Sequence, residues 1–212
     1  IWEYLELVES GPWRVCEEQK ALAKLVRRSF ETENIYVDVE QLTKYLGLEK
    51  YFPFQLFPWQ RFLAAMWNCT YWRETGFPRW PTVLVLLGRG GGKDGFISFD
   101  SMCCISPYCE VPRYDVDICA NLEEQATRPV SDLIDVMETP RQEKKLKKHF
   151  YHTKQVVQGR KNRGSVRGRT NNPKSRDGMR TGKAIFNEIH QYQDYANITV
   201  FRTGQGKVAH PR

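Results

Sequence analysis

The chain has 212 residues, of which 41% are apolar and 13% aromatic, a composition that supports a packed core and excludes wholesale disorder. Its apolar runs are far shorter than the roughly 20 residues that span a bilayer, so we expect neither a membrane protein nor a membrane partner. The net charge of +7 is concentrated in one fifth of the chain, which indicates a polyanionic partner such as nucleic acid.

In chain order, the patterns predict helices followed by an α/β domain. Residues 1–50 carry short helical patterns, and Pro58 opens a helix whose apolar residues recur at helical spacing. Helical patterns also separate the apolar runs that follow, so we expect a mainly parallel central sheet flanked by helices. Four runs are typical of strands buried on both faces of such a sheet: residues 82–87, 114–120, 183–187 and, less strongly, 198–201.

The segment after the first predicted strand is the strongest functional signal. It reads Gly88-Arg89-Gly90-Gly91-Gly92-Lys93-Asp94 and lies between a predicted strand and a predicted helix, which is the context of a phosphate-binding loop. Glycines let backbone N–H groups converge on an anion, and Lys93 supplies a mobile positive charge for the β- and γ-phosphates. The strict pattern fails twice, because Leu87 and Asp94 stand where Gly and Ser or Thr are usual. The alternative is a glycine-rich turn with a solvated lysine.

A basic segment follows in the second half of the chain. Residues 141–183 contain fifteen Lys and Arg residues against two acidic ones. Residues 160–180 are rich in Gly, Asn and Arg and poor in apolar side chains, so the alternatives here are a solvated loop and a contact between subunits. We expect this segment to bind the phosphate backbone of DNA without sequence specificity. The residues expected to make the contacts are Arg160, Lys161, Arg163, Arg167 and Arg169.

A second motif, Asn187-Glu188-Ile189-His190, ends the third predicted strand. In nucleotide-hydrolysing sites, a polar residue at such a strand end holds Mg²⁺ and the next glutamate activates the attacking water. The alternative is a capped strand end. Glu188 and His190 lack the H-E-x-x-H spacing, which excludes a zinc protease of that class. A third candidate is Gln60, whose amide can match the edge of adenine, although a glutamine early in a helix is usually solvated.

These motifs together resemble the ATPase domain of the large subunit of tailed-phage terminases. The resemblance covers about residues 50–212 in collinear order and implies a P-loop NTPase core over residues 51–212, preceded by a helical segment over residues 1–50. The family's C-terminal nuclease domain is expected to be absent from this chain. The resemblance is carried by Pro58-Trp59-Gln60, Gly88 to Asp94, Asn121-Leu122-Glu123-Glu124-Gln125-Ala126, Asp177-Gly178 and Asn187 to His190.

The resemblance implies a role for each matching residue. Gln60 would contact adenine, and the loop from Gly88 to Asp94 would bind the phosphates of ATP. An arginine before the Asn187 strand would act on a neighbouring subunit's phosphate, Arg176 first and Arg180 second, the alternative being a solvated or DNA-facing arginine. The implied catalytic residues are Glu188, Lys93, Arg89 and Arg176.

Two departures from the family pattern concern the metal. Asp94 stands where Ser or Thr is usual, and Asn187 where Asp is usual. Compared with the family pattern, the carboxylate and the neutral group have changed places, so the local formal charge is the same. A hard cation accepts oxygen ligands from either position. We therefore expect Asp94 and Asn187 to hold Mg²⁺ together.

The function implied by the resemblance is ATP hydrolysis that drives double-stranded DNA into a viral prohead, with ATP and Mg²⁺ as cofactors. The implied partners are double-stranded DNA, the small terminase subunit and the portal or prohead. The setting is the host cell cytoplasm, and the assembled form is a homo-oligomeric ring, with a monomer as the alternative for the isolated domain. One competing function is a helicase-like or remodelling ATPase. Another is a DNA-binding assembly module whose degenerate site no longer hydrolyses ATP.

Overall fold

The computed structural model describes residues 1–11, 14–170 and 180–212. It divides into two compact units, Ile1–Gly47 with Gln55–Val85, and Leu48–Phe54 with Leu86–Arg212. The predicted division into residues 1–50 and 51–212 stays a prediction. Across the described ranges, no helix combines the length and apolar character that crossing a bilayer requires.

The first unit is mainly helical. Asp38 caps one of its helices, because its carboxylate accepts the backbone N–H of Gln41 at 2.8 Å. The core of the unit contains Leu5, Val26 and Phe62. Its elements are α1 (Trp2–Ser10), α2 (Glu17–Thr32), β1 (Ile35–Val37), α3 (Val39–Leu46), α4 (Pro58–Cys69) and β2 (Thr70–Trp72), with β1 and β2 paired antiparallel.

The second unit is built around a sheet whose five described strands are flanked by helices. A 3₁₀ turn at Glu49–Tyr51 precedes the sheet in the chain, and another at Ile189–Gln191 follows its last strand. The remaining elements are α5 (Lys93–Ile105), β3 (Asp115–Ala120), α6 (Glu123–Glu138), α7 (Glu143–Leu146), β4 (Phe150–His152), β5 (Val156–Gly159), β6 (Ser165–Thr170), β7 (Thr181–Phe186) and α8 (Ala196–Gln205).

The sheet is mixed rather than mainly parallel. Its strand order is β4-β5-β6-β3-β7. The interior strand β3 pairs parallel with β6 and with β7, whereas β4, β5 and β6 form an antiparallel meander. The parallel part therefore carries the ends of β3 and β7 to the same edge of the sheet.

Two predicted strands are wrong. Residues 82–87 form neither a helix nor a strand, and Leu84 and Leu86 are 72% and 83% exposed. An apolar run needs neighbouring strands to become part of a sheet, and no described strand pairs with this one. Residues 198–201 belong to α8 instead, where Phe201 is buried and contacts the ring of Phe186 at a centroid distance of 5.7 Å.

Candidate functional site

The glycine-rich loop turns directly into α5. Gly90 and Gly92 have φ angles of 78° and 81°, in the left-handed region that glycine adopts without steric cost. Gly92 precedes Lys93, the first residue of α5. The first N–H groups of a helix have no acceptor within the helix. The loop therefore brings the first backbone N–H groups of α5 and the Lys93 ammonium to one helix end.

The end of β7 brings the second motif to the site. Asn187 donates its backbone N–H to the Cys119 carbonyl of β3 at 2.8 Å, which continues the parallel pairing beyond the strand. Glu188 then adopts a φ of 53°, a conformation that costs energy for any residue with a side chain. Such strain concentrates at functional sites, and here it turns the chain where the glutamate side chain is presented.

Lys93 and Glu188, which lie 95 positions apart in the chain, form an ion pair. The Lys93 ammonium donates a hydrogen bond to Glu188 Oε1, and both side chains are about one third exposed or less, at 33% and 28%. The hydrogen bond from Lys93, with the added charges of Lys93, His190 and Arg89, lowers the pKa of Glu188 below its ordinary value. The carboxylate is therefore ionised at neutral pH in a cationic surrounding that suits an anion.

His190 contacts the other oxygen of the same carboxylate. Its Nδ1 lies 3.4 Å from Glu188 Oε2, and its side chain is 71% exposed. The Glu188 carboxylate is thus bracketed by Lys93 on one oxygen and His190 on the other.

The two residues expected to hold a metal each present an oxygen that accepts no hydrogen bond from the described part of the chain. Asp94 Oδ1 and Asn187 Oδ1 are buried and accept no hydrogen bond from the described residues. Lys93 Nζ lies 3.9 Å from Asp94 Oδ1, and Asn187 Nδ2 is held by the Gln125 carbonyl at 3.3 Å. Buried polar atoms are usually satisfied, so the two oxygens fit a hard divalent cation.

The described residues contain no group of three or more His, Cys, Asp or Glu side chains arranged to hold a metal ion. A Mg²⁺ ion ordinarily takes one or two protein ligands and completes its shell with substrate phosphates and water. Metal binding by Asp94 and Asn187 stays a prediction.

No sequence pattern indicated Asp132, a residue of α6 that adjoins this site. The Ser98 hydroxyl lies 3.0 Å from the Asp94 backbone carbonyl and 3.3 Å from Asp132 Oδ2. Burial, and then the negative charge of Asp94, raise the pKa of Asp132. A lone acidic residue in an amphipathic helix carries no signal in the sequence, because its neighbours are set by the packing of α5 on α6.

Other predicted site residues lie elsewhere or outside the described residues. Gln60 belongs to the first unit, where it is buried and its side-chain oxygen accepts the Phe57 backbone N–H at 2.7 Å as part of an N-terminal cap. Arg176 lies outside the described residues. Arg180 is described and exposed. The roles predicted for these three residues stay predictions.

The five arginine and lysine residues expected to contact DNA differ in their local partners. Arg160 donates to the Lys147 and Phe150 carbonyls, Lys161 donates to the Pro107 carbonyl, and Arg169 pairs with buried Asp117 at 2.8 Å. The exposed side chains of Arg163 and Arg167 form no hydrogen bond or ion pair with the described residues. DNA contact by this set stays a prediction.

No protein-family profile matches the chain, and no curated protein matches it in sequence. The fold does match a solved structure, the large terminase of bacteriophage HK97, with a TM-score of 0.64 at 18% sequence identity. The match covers 83% of this chain and 36% of that chain, so this chain spans little more than a third of the length of that terminase. The predicted resemblance to phage large terminases is confirmed at the level of the fold.

Proposed function

We propose that the chain is the ATPase domain of a viral DNA-packaging terminase, which hydrolyses ATP to move double-stranded DNA into a prohead. The observation that carries this proposal is the meeting of Lys93 and Glu188 beside the glycine-rich loop. A cation for phosphate and a carboxylate for water are the two side chains that phosphoryl transfer to water needs at one place. The fold shared with a phage large terminase supports the same function.

In the proposed mechanism, ATP binds by replacing a contact. The phosphates approach the N-terminal amides of α5, where the helix dipole favours negative charge. Lys93 then turns from Glu188 to the β- and γ-phosphates, and Arg89 adds a further charge from the exposed loop. The triphosphate thus frees the Glu188 carboxylate at the moment when that carboxylate is needed.

Glu188 acts as the general base in the hydrolytic step. Its carboxylate accepts a proton from a water molecule whose oxygen forms a bond to the γ-phosphorus. The bond between the γ-phosphorus and the bridging oxygen breaks, and its electron pair leaves with ADP. Asp94 and Asn187 would hold Mg²⁺, which supplies charge neutralisation at the phosphate oxygens when bound.

The remaining parts of the proposal concern DNA and partners. The exposed members of the predicted DNA-contacting set, Arg160, Lys161, Arg163 and Arg167, would contact the DNA backbone. Arg176 would reach the phosphates of a neighbouring subunit. The domain would work in a homo-oligomeric ring in the host cell cytoplasm, with the small terminase subunit and the portal of the prohead. A helicase would separate DNA strands, whereas this motor would move along duplex DNA without unwinding it.

The test is phosphate release from ATP by the purified chain, with and without Mg²⁺. We expect slow, Mg²⁺-dependent hydrolysis that falls by at least about 100-fold in Glu188→Gln, because general-base catalysis contributes that much, and that is also lost in Lys93→Met. Glu110→Gln and Lys148→Met are matched controls, because both residues are exposed surface positions of the same unit.

Hydrolysis that persists in Glu188→Gln would contradict the proposal, as would a wild-type chain that releases no phosphate. The second result would favour a DNA-binding assembly module that has lost hydrolysis.

A further inference from the structure

A second ion pair joins the same helix and strand and is completely buried. Lys183 Nζ, on β7, lies 3.0 Å from Asp100 Oδ1 and 2.9 Å from Asp100 Oδ2, on α5. Both side chains are 0% exposed. The neighbouring Cys104 thiol is buried as well, and this burial raises its pKa to about 12.

The two pairs are related by their positions in the chain. Asp100 follows Lys93 by two helical turns, so the two residues share a face of α5 about 10 Å apart. Lys183 precedes Glu188 on the same strand and its continuation. α5 therefore carries a cation at its start and an anion two turns later. The chain from Lys183 on β7 to Glu188 beyond it also carries the cation first, and each cation pairs with the anion of the other segment.

A buried charge pair is by itself weak evidence for a stabilising role. Removing two charges from water costs several kcal/mol, and well-packed apolar side chains of similar volume are often as stabilising as a buried pair. A buried pair favours one arrangement, because a slip of the helix along the strand leaves a charge without its partner.

We propose that Asp100 and Lys183 are positioning residues that fix α5 against β7, so that Lys93 and Glu188 reach the same phosphate group. This inference rests on the function proposed above. When ATP takes Lys93 from Glu188, the exposed pair is lost and the buried pair remains. The buried pair then holds the helix that binds phosphate in register with the strand that presents the base.

The test replaces both charges by apolar side chains of similar volume, Asp100→Leu with Lys183→Met. We expect this double variant to unfold at a urea concentration no lower than wild type, because neither charge is left unpaired. We also expect kcat to fall by at least about tenfold, since small misplacements of catalytic groups are costly, while the KM for ATP changes by less than about twofold. Hydrogen exchange at the first turns of α5 should accelerate.

The matched control removes a partly buried pair from the other unit, Glu33→Gln with Arg79→Met, and should leave kcat unchanged. If the Asp100→Leu, Lys183→Met variant folds with wild-type kcat and wild-type exchange in α5, the pair is structural and the proposal is overturned. If that variant does not fold, Lys183→Arg keeps the charge but displaces it. We expect Lys183→Arg to fold with lowered kcat and faster α5 exchange, and wild-type values of both would overturn the proposal.

Failure of the proposed function has a different signature. A wild-type chain that does not hydrolyse ATP would contradict that function, whereas hydrogen exchange in α5 reports on the pair whether or not ATP is hydrolysed.

Discussion

The two ion pairs between α5 and β7 use the same kinds of residue and differ in their access to water. Lys93 and Glu188 are 33% and 28% exposed, whereas Lys183 and Asp100 are both 0% exposed. A partly exposed pair is weaker than its geometry suggests, because water and salt compete with it, and a ligand can replace either partner. A buried pair cannot exchange partners without stranding a charge. The Lys93–Glu188 pair is therefore suited to opening during a reaction, and the Lys183–Asp100 pair to holding α5 and β7 in a fixed position.

The largest expected effect separates the two pairs by stability. Lys183→Met leaves the Asp100 carboxylate buried without its cation, and we expect it to lower the free energy of unfolding by about 3–5 kcal/mol. Lys93→Met should change it by less than about 1 kcal/mol, because Glu188 can be solvated. Urea unfolding of both variants followed by circular dichroism measures the difference. Equal losses would mean that the distinction between the pairs is mistaken.

The next effect concerns the oxygens beside the exposed pair. Asp94→Ser should slow Mg²⁺-dependent hydrolysis by about tenfold or more, because it removes the one carboxylate of the proposed metal site. Adding Asn187→Asp returns a carboxylate from the opposite side and should restore part of the rate. Steady-state phosphate release at several Mg²⁺ concentrations measures both variants. A double variant no better than Asp94→Ser would show that the two positions have not exchanged roles.

A smaller effect is the pH dependence of the exposed pair. Since the pKa of Glu188 is lowered in the folded chain, the stability contributed by its pair with Lys93 is fully present above the ordinary glutamate pKa of about 4.5. That contribution is lost as the pH falls through the lower pKa of the folded state. The difference in free energy of unfolding between wild type and Lys93→Met should therefore shrink as the pH falls from 5 to strongly acidic values. The change should be less than about 1 kcal/mol. Urea midpoints measured across this range provide the check, and a difference that grows on acidification would reverse the predicted sign.

The smallest effect lies among the basic residues outside both pairs. The affinity for duplex DNA falls as salt rises, and Arg167→Ala should make the slope of log affinity against log salt less steep by about 0.9. That value corresponds to the loss of one phosphate contact. Arg169 pairs with Asp117, so Arg169→Ala should mainly reduce stability. Fluorescence anisotropy with a labelled duplex measures the slopes. A larger loss of slope in Arg169→Ala than in Arg167→Ala would contradict this assignment.

The local elements of the second unit could be predicted because their signals are local. The helix after Gly92 follows a glycine turn, and β3 is a short run, apolar apart from two aspartates, that lies inside the sheet between β6 and β7. Residues 82–87 look the same in sequence and form no strand. An apolar pattern indicates a tendency to be buried. Whether a strand forms depends on pairing with strands that are distant in the chain.

The candidate site was predicted in part for the same reason. Lys93 and Glu188 each stand in a recognisable motif, so their meeting could be expected from the nucleotide-site pattern. Asp100 and Lys183 carry a weaker signal, a charge within an otherwise buried helix and strand, and their pairing depends on how α5 crosses β7. Such a crossing is set by packing, which no single stretch of sequence specifies.

The most direct test of the central claim, that ATP takes Lys93 from Glu188, is the affinity of Glu188→Gln for a non-hydrolysable ATP analogue with Mg²⁺. The neutral side chain no longer competes for the Lys93 ammonium, so we predict binding about two- to fivefold tighter than wild type. This factor corresponds to the free energy of a solvent-accessible ion pair. Glu110→Gln should bind the analogue as wild type does. Weaker binding by Glu188→Gln than by wild type would contradict the account.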